Sequence, residues 1–219
     1  MLSGEQTCKW HILCSFRAGR RYDVQVQSII QIAKGKKMRT LTSLVLALLV
    51  LSTPAFAEIE KVAVPCDEGM CLFWWPKLPA VNGWHQDRDS CLTYKVNAQA
   101  PNGYSFVNAE AVIYANALYK PRIPDIASME MLIENDKEKF LSTDPSIIIT
   151  RVASQTTGDG QDLRSFAFIP GNSGNWERVS YGEEGDFFLI FTVSSKTEDG
   201  LNRALPAYEQ FISHYRERP

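Results

Sequence analysis

The strongest structural signal in the sequence is a hairpin pattern near the C-terminal end, where residues 175–195 read NWERVSYGEEGDFFLIFTVSS. Residues 176–181 and 187–194 are rich in aromatic and β-branched side chains, and the Gly-Glu-Glu-Gly-Asp run between them is typical of a turn. A short connection joins antiparallel neighbours, whereas parallel strands need a long crossover. The sheet of this protein is therefore expected to be antiparallel.

Two segments show helical periodicity. Residues 129–141 follow a candidate N-cap, Ser128, and carry apolar residues on one face and charged residues on the other. Residues 201–215 hold a longer apolar stripe, preceded by a Ser195–Glu198 spacing typical of a capping box. Pro206 lies inside that stripe and predicts a kink or a restarted helix. Because strands and helices do not alternate, we expect an α+β fold in which two amphipathic helices pack on an antiparallel sheet.

The segment MRTLTSLVLALLVLSTPAFA, residues 38–57, has the three-part pattern of a secretory signal peptide. Arg39 supplies the positive start, residues 44–51 form an apolar run, and Ala55 and Ala57 fit a signal-peptidase site. A retained membrane anchor is the alternative, but a spanning helix needs about 20 apolar residues. Residues 1–37 are expected to be a disordered extension arising from a start codon placed too far upstream, or else a long basic leader. The predicted localisation is periplasmic or secreted.

Cleavage after Ala57 would leave residues 58–219 as a single domain. This part contains 15 Lys and Arg against 23 Asp and Glu, so its formal charge is −8. Nucleic acids and anionic membrane surfaces attract clusters of Lys and Arg, so neither is expected as a partner. The partners that remain are an unidentified protein or a small ligand, with no stable membrane anchor after cleavage and no cofactor.

Three cysteines fall in this domain, an odd number for a compartment that oxidises thiols. The Asp-Glu-Gly-Met spacer favours a disulfide between Cys66 and Cys71, with Cys71–Cys91 as the second choice. Zinc held by the three cysteines and His85 is a weaker alternative, because the spacing matches no established finger. A Cys91–His85 nucleophile pair is weaker again, since nothing marks an orienting partner.

Three tryptophans accompany these cysteines. MCLFWWP, residues 70–76, predicts a strand on which Trp74 and Trp75 face opposite sides, and Trp84 follows shortly after. Aromatic side chains dominate ligand grooves, but they also cover the open ends of cores. We take Trp74, Trp75 and Trp84 as the candidate ligand or partner surface.

The order of elements, together with YKPRIP, FLIFTVSSK and ALPAYEQFISHYR, resembles the PsbP-like fold over residues 83–216. That family includes the extrinsic oxygen-evolving subunit of photosystem II and a Ran-binding nuclear import factor. The resemblance implies an α/β/α sandwich that serves mostly as a binding or assembly module. The cysteine and tryptophan segment departs from those proteins, so their partners and binding residues are not carried over.

The sequence favours an exported, non-enzymatic binding or assembly module. An enzyme with a dispersed site, such as a hydrolase, is the alternative, and it would place His85 or His214 beside an acid or nucleophile. GNSGN, residues 171–175, is similar to the serine motif of chymotrypsin-like proteases, but it is also ordinary turn composition. A third hypothesis is an envelope protein that forms a mixed disulfide through Cys91. No catalytic or metal-ligating residues are assigned.

Overall fold

The computed structural model describes residues 59–67, 69–171 and 174–216. The predicted extension, the signal segment and Ser173 of the protease-like motif lie outside these residues. The described part contains nine strands and three helices: β1 Ile59–Cys66, β2 Gly69–Pro76, β3 Trp84–Gln86, α1 Arg88–Tyr94, β4 Asn97–Pro101, β5 Ala111–Tyr119, α2 Met129–Thr143, β6 Ile148–Thr156, β7 Asp162–Ile169, β8 Trp176–Glu184, β9 Phe187–Ser195 and α3 Glu198–Ser213.

All described strands belong to one sheet in the order β1-β2-β5-β9-β8-β7-β6, and every pairing is antiparallel. The antiparallel pair β3–β4, connected through α1, joins the sheet because β4 pairs with β5, and β2 pairs with β5 only through Trp74 and Ala117. The predicted α+β class with an antiparallel sheet is confirmed. In this part of the chain, no helix has the length and apolar character needed to span a bilayer.

The β8–β9 hairpin is confirmed, but its turn is shorter than the predicted five residues. Glu184 pairs with Phe187, so that only Gly185 and Asp186 form the turn, and Gly185 has a φ of +49°. A left-handed backbone at this point suits glycine. Gly182, predicted to be part of the turn, lies within β8, where a Cβ would come 2.5 Å from Leu163 Cδ2.

The two long helices pack against opposite faces of the sheet. Successive residues of a strand point to opposite sides, so one strand can contact both helices. On β9, Leu189 and Phe191 belong to the apolar cluster that includes α3, whereas Phe188 belongs to the cluster that includes α2. The predicted apolar stripe of α3 is buried against the first face: Leu201, Ala204, Tyr208, Phe211, Ile212 and Tyr215. The predicted face of α2 is likewise confirmed, with Met129, Leu132 and Ile133 buried.

The N-terminal cap of α2 is the predicted residue, whereas that of α3 is a different one. Ser128 caps α2, since its Oγ accepts from Met131 N at 3.2 Å. The α3 cap is Thr197, whose Oγ1 accepts from Gly200 N at 3.0 Å, so the Ser195–Glu198 capping box is wrong. Ser195 instead completes β9 and accepts from Thr197 N at 3.3 Å. The helix continues through Pro206 without restarting.

Four elements are missing from the sequence prediction: β1, β3, β4 and α1. The short helix α1 has only seven residues, too few for a clear helical period. Its N-cap is Asp87, and it ends at Lys95, whose φ is +61°. The loops around this short helix, rather than the tryptophan strand, build the cavity described below.

Candidate functional site

The cysteine hairpin is a structural staple. Cys66 and Cys71 form a disulfide between β1 and β2, as predicted. Cys91 lies on α1 and is only 5% exposed, with its Sγ accepting from Ala98 N at 3.2 Å. Burial raises the pKa of this thiol, which disfavours the thiolate that a nucleophile requires.

A zinc site built from these cysteines is contradicted by the disulfide, which removes two of the four ligands. Among residues 59–67, 69–171 and 174–216, no three His, Cys, Asp or Glu side chains come together as metal ligands would. The Cys91–His85 nucleophile pair also lacks support, since Cys91 contacts the backbone of Ala98 on both its donor and acceptor sides.

The three predicted tryptophans do not share one open surface. Trp75 is buried with 4% of its surface exposed, whereas Trp74 and Trp84 are partly exposed and pack against the core on the α3 face. The centroid of the Trp74 ring lies 5.2 Å from that of Tyr119 and 6.2 Å from that of Phe187. The Arg122 guanidinium lies over the Trp74 ring, with its Cζ 4.6 Å from the ring centroid. Much of this ring is therefore already in contact with other side chains of the protein.

A cavity lies beside Trp84, at the start of α1. It has a volume of about 470 Å³ and is formed by residues 85–89 and 103–105; we call it the polar cavity. Small-molecule sites typically enclose about 300–1,000 Å³, so its size suits a small ligand. It opens widely to solvent, and its walls carry His85, Gln86, Arg88, Asp89, Tyr104 and Ser105.

Asp87 joins the two walls of the polar cavity. Its Oδ1 accepts from Ser90 N at 3.0 Å and caps α1, while its Oδ2 accepts from Phe106 N at 2.8 Å. Partial burial acts to raise the pKa of Asp87, but the Phe106 and Ser90 donors outweigh it, with a smaller contribution from His85, and the pKa is lowered. The carboxylate therefore stays ionised and tied to the backbone.

A second group of titratable side chains lies on the α2 face, away from any predicted site residue. The Tyr181 hydroxyl donates to Asp136 Oδ2 at 2.6 Å, and Ser194 Oγ donates to Glu177 Oε1 at 2.6 Å. Burial raises the pKa of Asp136, and burial followed by the Asp136 charge raises the pKa of Glu177 to about 7. Asp136 lies on α2 and contacts Tyr181 directly, whereas Glu177 is linked to Asp136 only through the effect of its charge.

The polar cavity was missed by sequence reasoning, which followed the tryptophans. A usable signal was present in the run His85-Gln86-Asp87-Arg88-Asp89-Ser90, six polar residues directly after Trp84. One expectation of the enzyme alternative is fulfilled, because His85 and the acid Asp87 both line this cavity. The protease grouping cannot be placed, since Ser173 lies outside the described residues.

Comparison of the chain with protein-family models and with curated proteins finds no match.

Proposed function

We propose that the protein is an exported binding module, periplasmic or secreted, that holds a small polar ligand or a partner's polar group in the polar cavity without reacting with it. One observation carries this proposal: the acid beside His85 is already committed to two backbone donors. Asp87 accepts from Ser90 N and Phe106 N, one through each carboxylate oxygen. A carboxylate used in this way fixes the cavity walls, whereas a general base must be available to a substrate proton.

We further propose that the fold is the PsbP-like α/β/α sandwich. The antiparallel sheet with α2 and α3 on opposite faces supports this, as does the β8–β9 hairpin leading directly into α3. Proteins of that fold mostly serve as binding or assembly modules, which agrees with a cavity in which Asp87 is committed to two backbone donors.

Export is supported by two features. Residues 38–57 have the pattern of a signal peptide, and the Cys66–Cys71 disulfide suits an oxidising compartment such as the periplasm.

An enzyme remains the second candidate, because His85 is half-buried in the cavity close to Asp87. Ser105 and Tyr104 supply hydroxyls on the opposite wall. In that case His85 would act as the acid–base group and Asp87 would only orient the chain.

Both candidates are tested by backbone-amide NMR on the purified protein with a panel of glycine, glycylglycine, glucose, N-acetylglucosamine, maltotriose and tri-N-acetylchitotriose. A binding module gives saturable shift changes at residues 85–89 and 103–105, and the ligand is recovered chemically unchanged. Turnover of a panel compound that disappears in His85→Ala would refute the binding proposal in favour of the enzyme. Absence of any shift change across the panel would refute the assignment of the cavity.

A further inference from the structure

We propose that the ligand of the polar cavity is a neutral saccharide; this rests on the proposed binding function and narrows it to a ligand class. The side chains of the cavity offer the hydrogen-bonding groups, the charge balance and the apolar ring that such a ligand requires.

The first argument is the mixture of donors and acceptors. Arg88 offers only donors, Asp89 offers only acceptors, and Gln86 offers both, while Tyr104 and Ser105 add hydroxyls across the cavity. Each hydroxyl of a sugar is at once a donor and an acceptor, so it can bridge a guanidinium and a carboxylate. A ligand with only one kind of group would leave part of these walls without a partner.

The second argument is charge. Arg88 lies between Asp87 and Asp89 in the sequence, so the cavity carries no excess of positive charge to hold an anion. Asp87 already accepts two backbone hydrogen bonds, and Arg88 and Asp89 are exposed, where ionic contacts contribute little. These conditions disfavour an anionic ligand and suit one without net charge.

The third argument is Tyr104, which leaves 60% of its surface exposed at the edge of the cavity. Aromatic side chains that present an apolar ring and a polar hydroxyl are suited to recognition sites, and Tyr104 lies beside the polar groups of the cavity. The C–H face of a pyranose ring packs well on an aromatic ring, while its hydroxyls reach polar neighbours at the edge. The wide opening of the cavity also leaves room for further sugar units.

The fourth argument is that the two walls are held before a ligand arrives. Besides the Asp87 contacts, Asn102 N donates to Gly83 O at 2.9 Å, and Gly103 takes a φ of +87° at the turn. A preformed site loses less entropy on binding, so shallow contacts can still give measurable affinity.

Isothermal titration calorimetry with maltotriose and tri-N-acetylchitotriose tests the proposal. We expect saturable binding of at least one of them with a Kd of about 1 mM or tighter, a range typical of weak specific binding. Tyr104→Ala should weaken it about three- to tenfold, as expected when one aromatic contact is lost, whereas Tyr104→Phe should keep the ring and the affinity. Arg88→Ala should weaken binding to a similar extent.

Matched controls lie away from the cavity. Arg151→Ala removes another exposed arginine, on β6, and Met131→Ala removes an exposed apolar side chain on α2. Both should bind as the wild type does, and circular dichroism should show every variant folded.

The possible outcomes distinguish a failure of the saccharide proposal from a failure of the proposed binding function. Glycine or glycylglycine could change the amide chemical shifts of the cavity residues while no sugar does. That result would overturn the saccharide proposal and leave the binding function standing. No binding by any compound would overturn both. Sugar binding that is unaffected by Tyr104→Ala and Arg88→Ala would overturn the assignment to this cavity. Tighter binding of the oligomers than of glucose or N-acetylglucosamine would support a glycan chain as the source, and equal affinity a free sugar.

Discussion

Glu177→Gln should stabilise the protein in a pH-dependent way. Burial and the Asp136 charge raise the pKa of Glu177 from 4.5 to about 7 in the folded state. The folded protein therefore prefers the protonated acid, and its stability is fully present below pH 4.5 and falls as the pH rises towards 7. With about 1.4 kcal/mol per unit of pKa, the loss at pH 8 reaches as much as about 3 kcal/mol.

Glutamine keeps the shape of the side chain and an oxygen for the Ser194 hydroxyl, but it carries no charge to bury. The variant should therefore unfold about 6–12 °C above the wild type at pH 8, given about 2–4 °C per kcal/mol for a domain of this size. At pH 4 the two proteins should unfold at nearly the same temperature. Asp136, whose pKa burial also raises, titrates in both proteins, and its charge acts on Glu177, so the difference contains the loss of the Glu177 charge together with the relief of that repulsion.

Differential scanning calorimetry at pH 4, 6 and 8 measures this difference. Glu209→Gln, on the exposed side of α3, is the matched control and should leave the unfolding temperature unchanged at each pH. A Glu177→Gln variant that is no more stable than the wild type at pH 8 would refute the reasoning. So would a stabilisation of the same size at pH 4.

Three other tests rest on local contacts. Thr197→Ala removes the cap on Gly200 N together with the hydrogen bond from Thr197 Oγ1 to Glu110 Oε1, and it should lower the free energy of unfolding by about 1 kcal/mol in urea titrations. Gly158→Ala would bring a Cβ within 2.2 Å of Ser213 O and should cost about 1–3 kcal/mol by the same assay. Cys91 should resist iodoacetamide in the native protein and react once urea unfolds it, as mass spectrometry would detect.

Each of these has a result that would contradict it. Unchanged urea midpoints would show that Thr197 is not the cap or that Gly158 has room for a side chain. Rapid alkylation of Cys91 in the native state would show that α1 opens readily, and it would revive the mixed-disulfide hypothesis.

The sequence is sufficient where local chemistry decides the structure. Three features depend on residues close together in the chain and could be predicted from local sequence: the β8–β9 hairpin, the Ser128 cap and the Cys66–Cys71 disulfide. The apolar stripe of α3 is equally clear, because every third or fourth residue meets the same face of the sheet.

The missed features depend on contacts between distant residues. The cavity exists because Asp87 binds Phe106 N, 19 residues away, and no local pattern encodes that pairing. Gly182 was assigned to the turn because glycine is common there; its real neighbour is Leu163, on an adjacent strand. At α3, the predicted Ser195 is used by the end of β9, and the cap is Thr197, two residues further along the chain.

The proposed export underlies the choice of compartment and the oxidised state of the Cys66–Cys71 hairpin, and one measurement tests it. The intact mass of non-reduced protein from the envelope fraction, alkylated after denaturation, gives the mature start and the state of each cysteine together. We expect a chain beginning at Glu58, with one disulfide and one alkylated cysteine, Cys91. A species that retains the Met38 segment, or that carries alkyl groups on all three cysteines of the domain, would contradict export into an oxidising compartment.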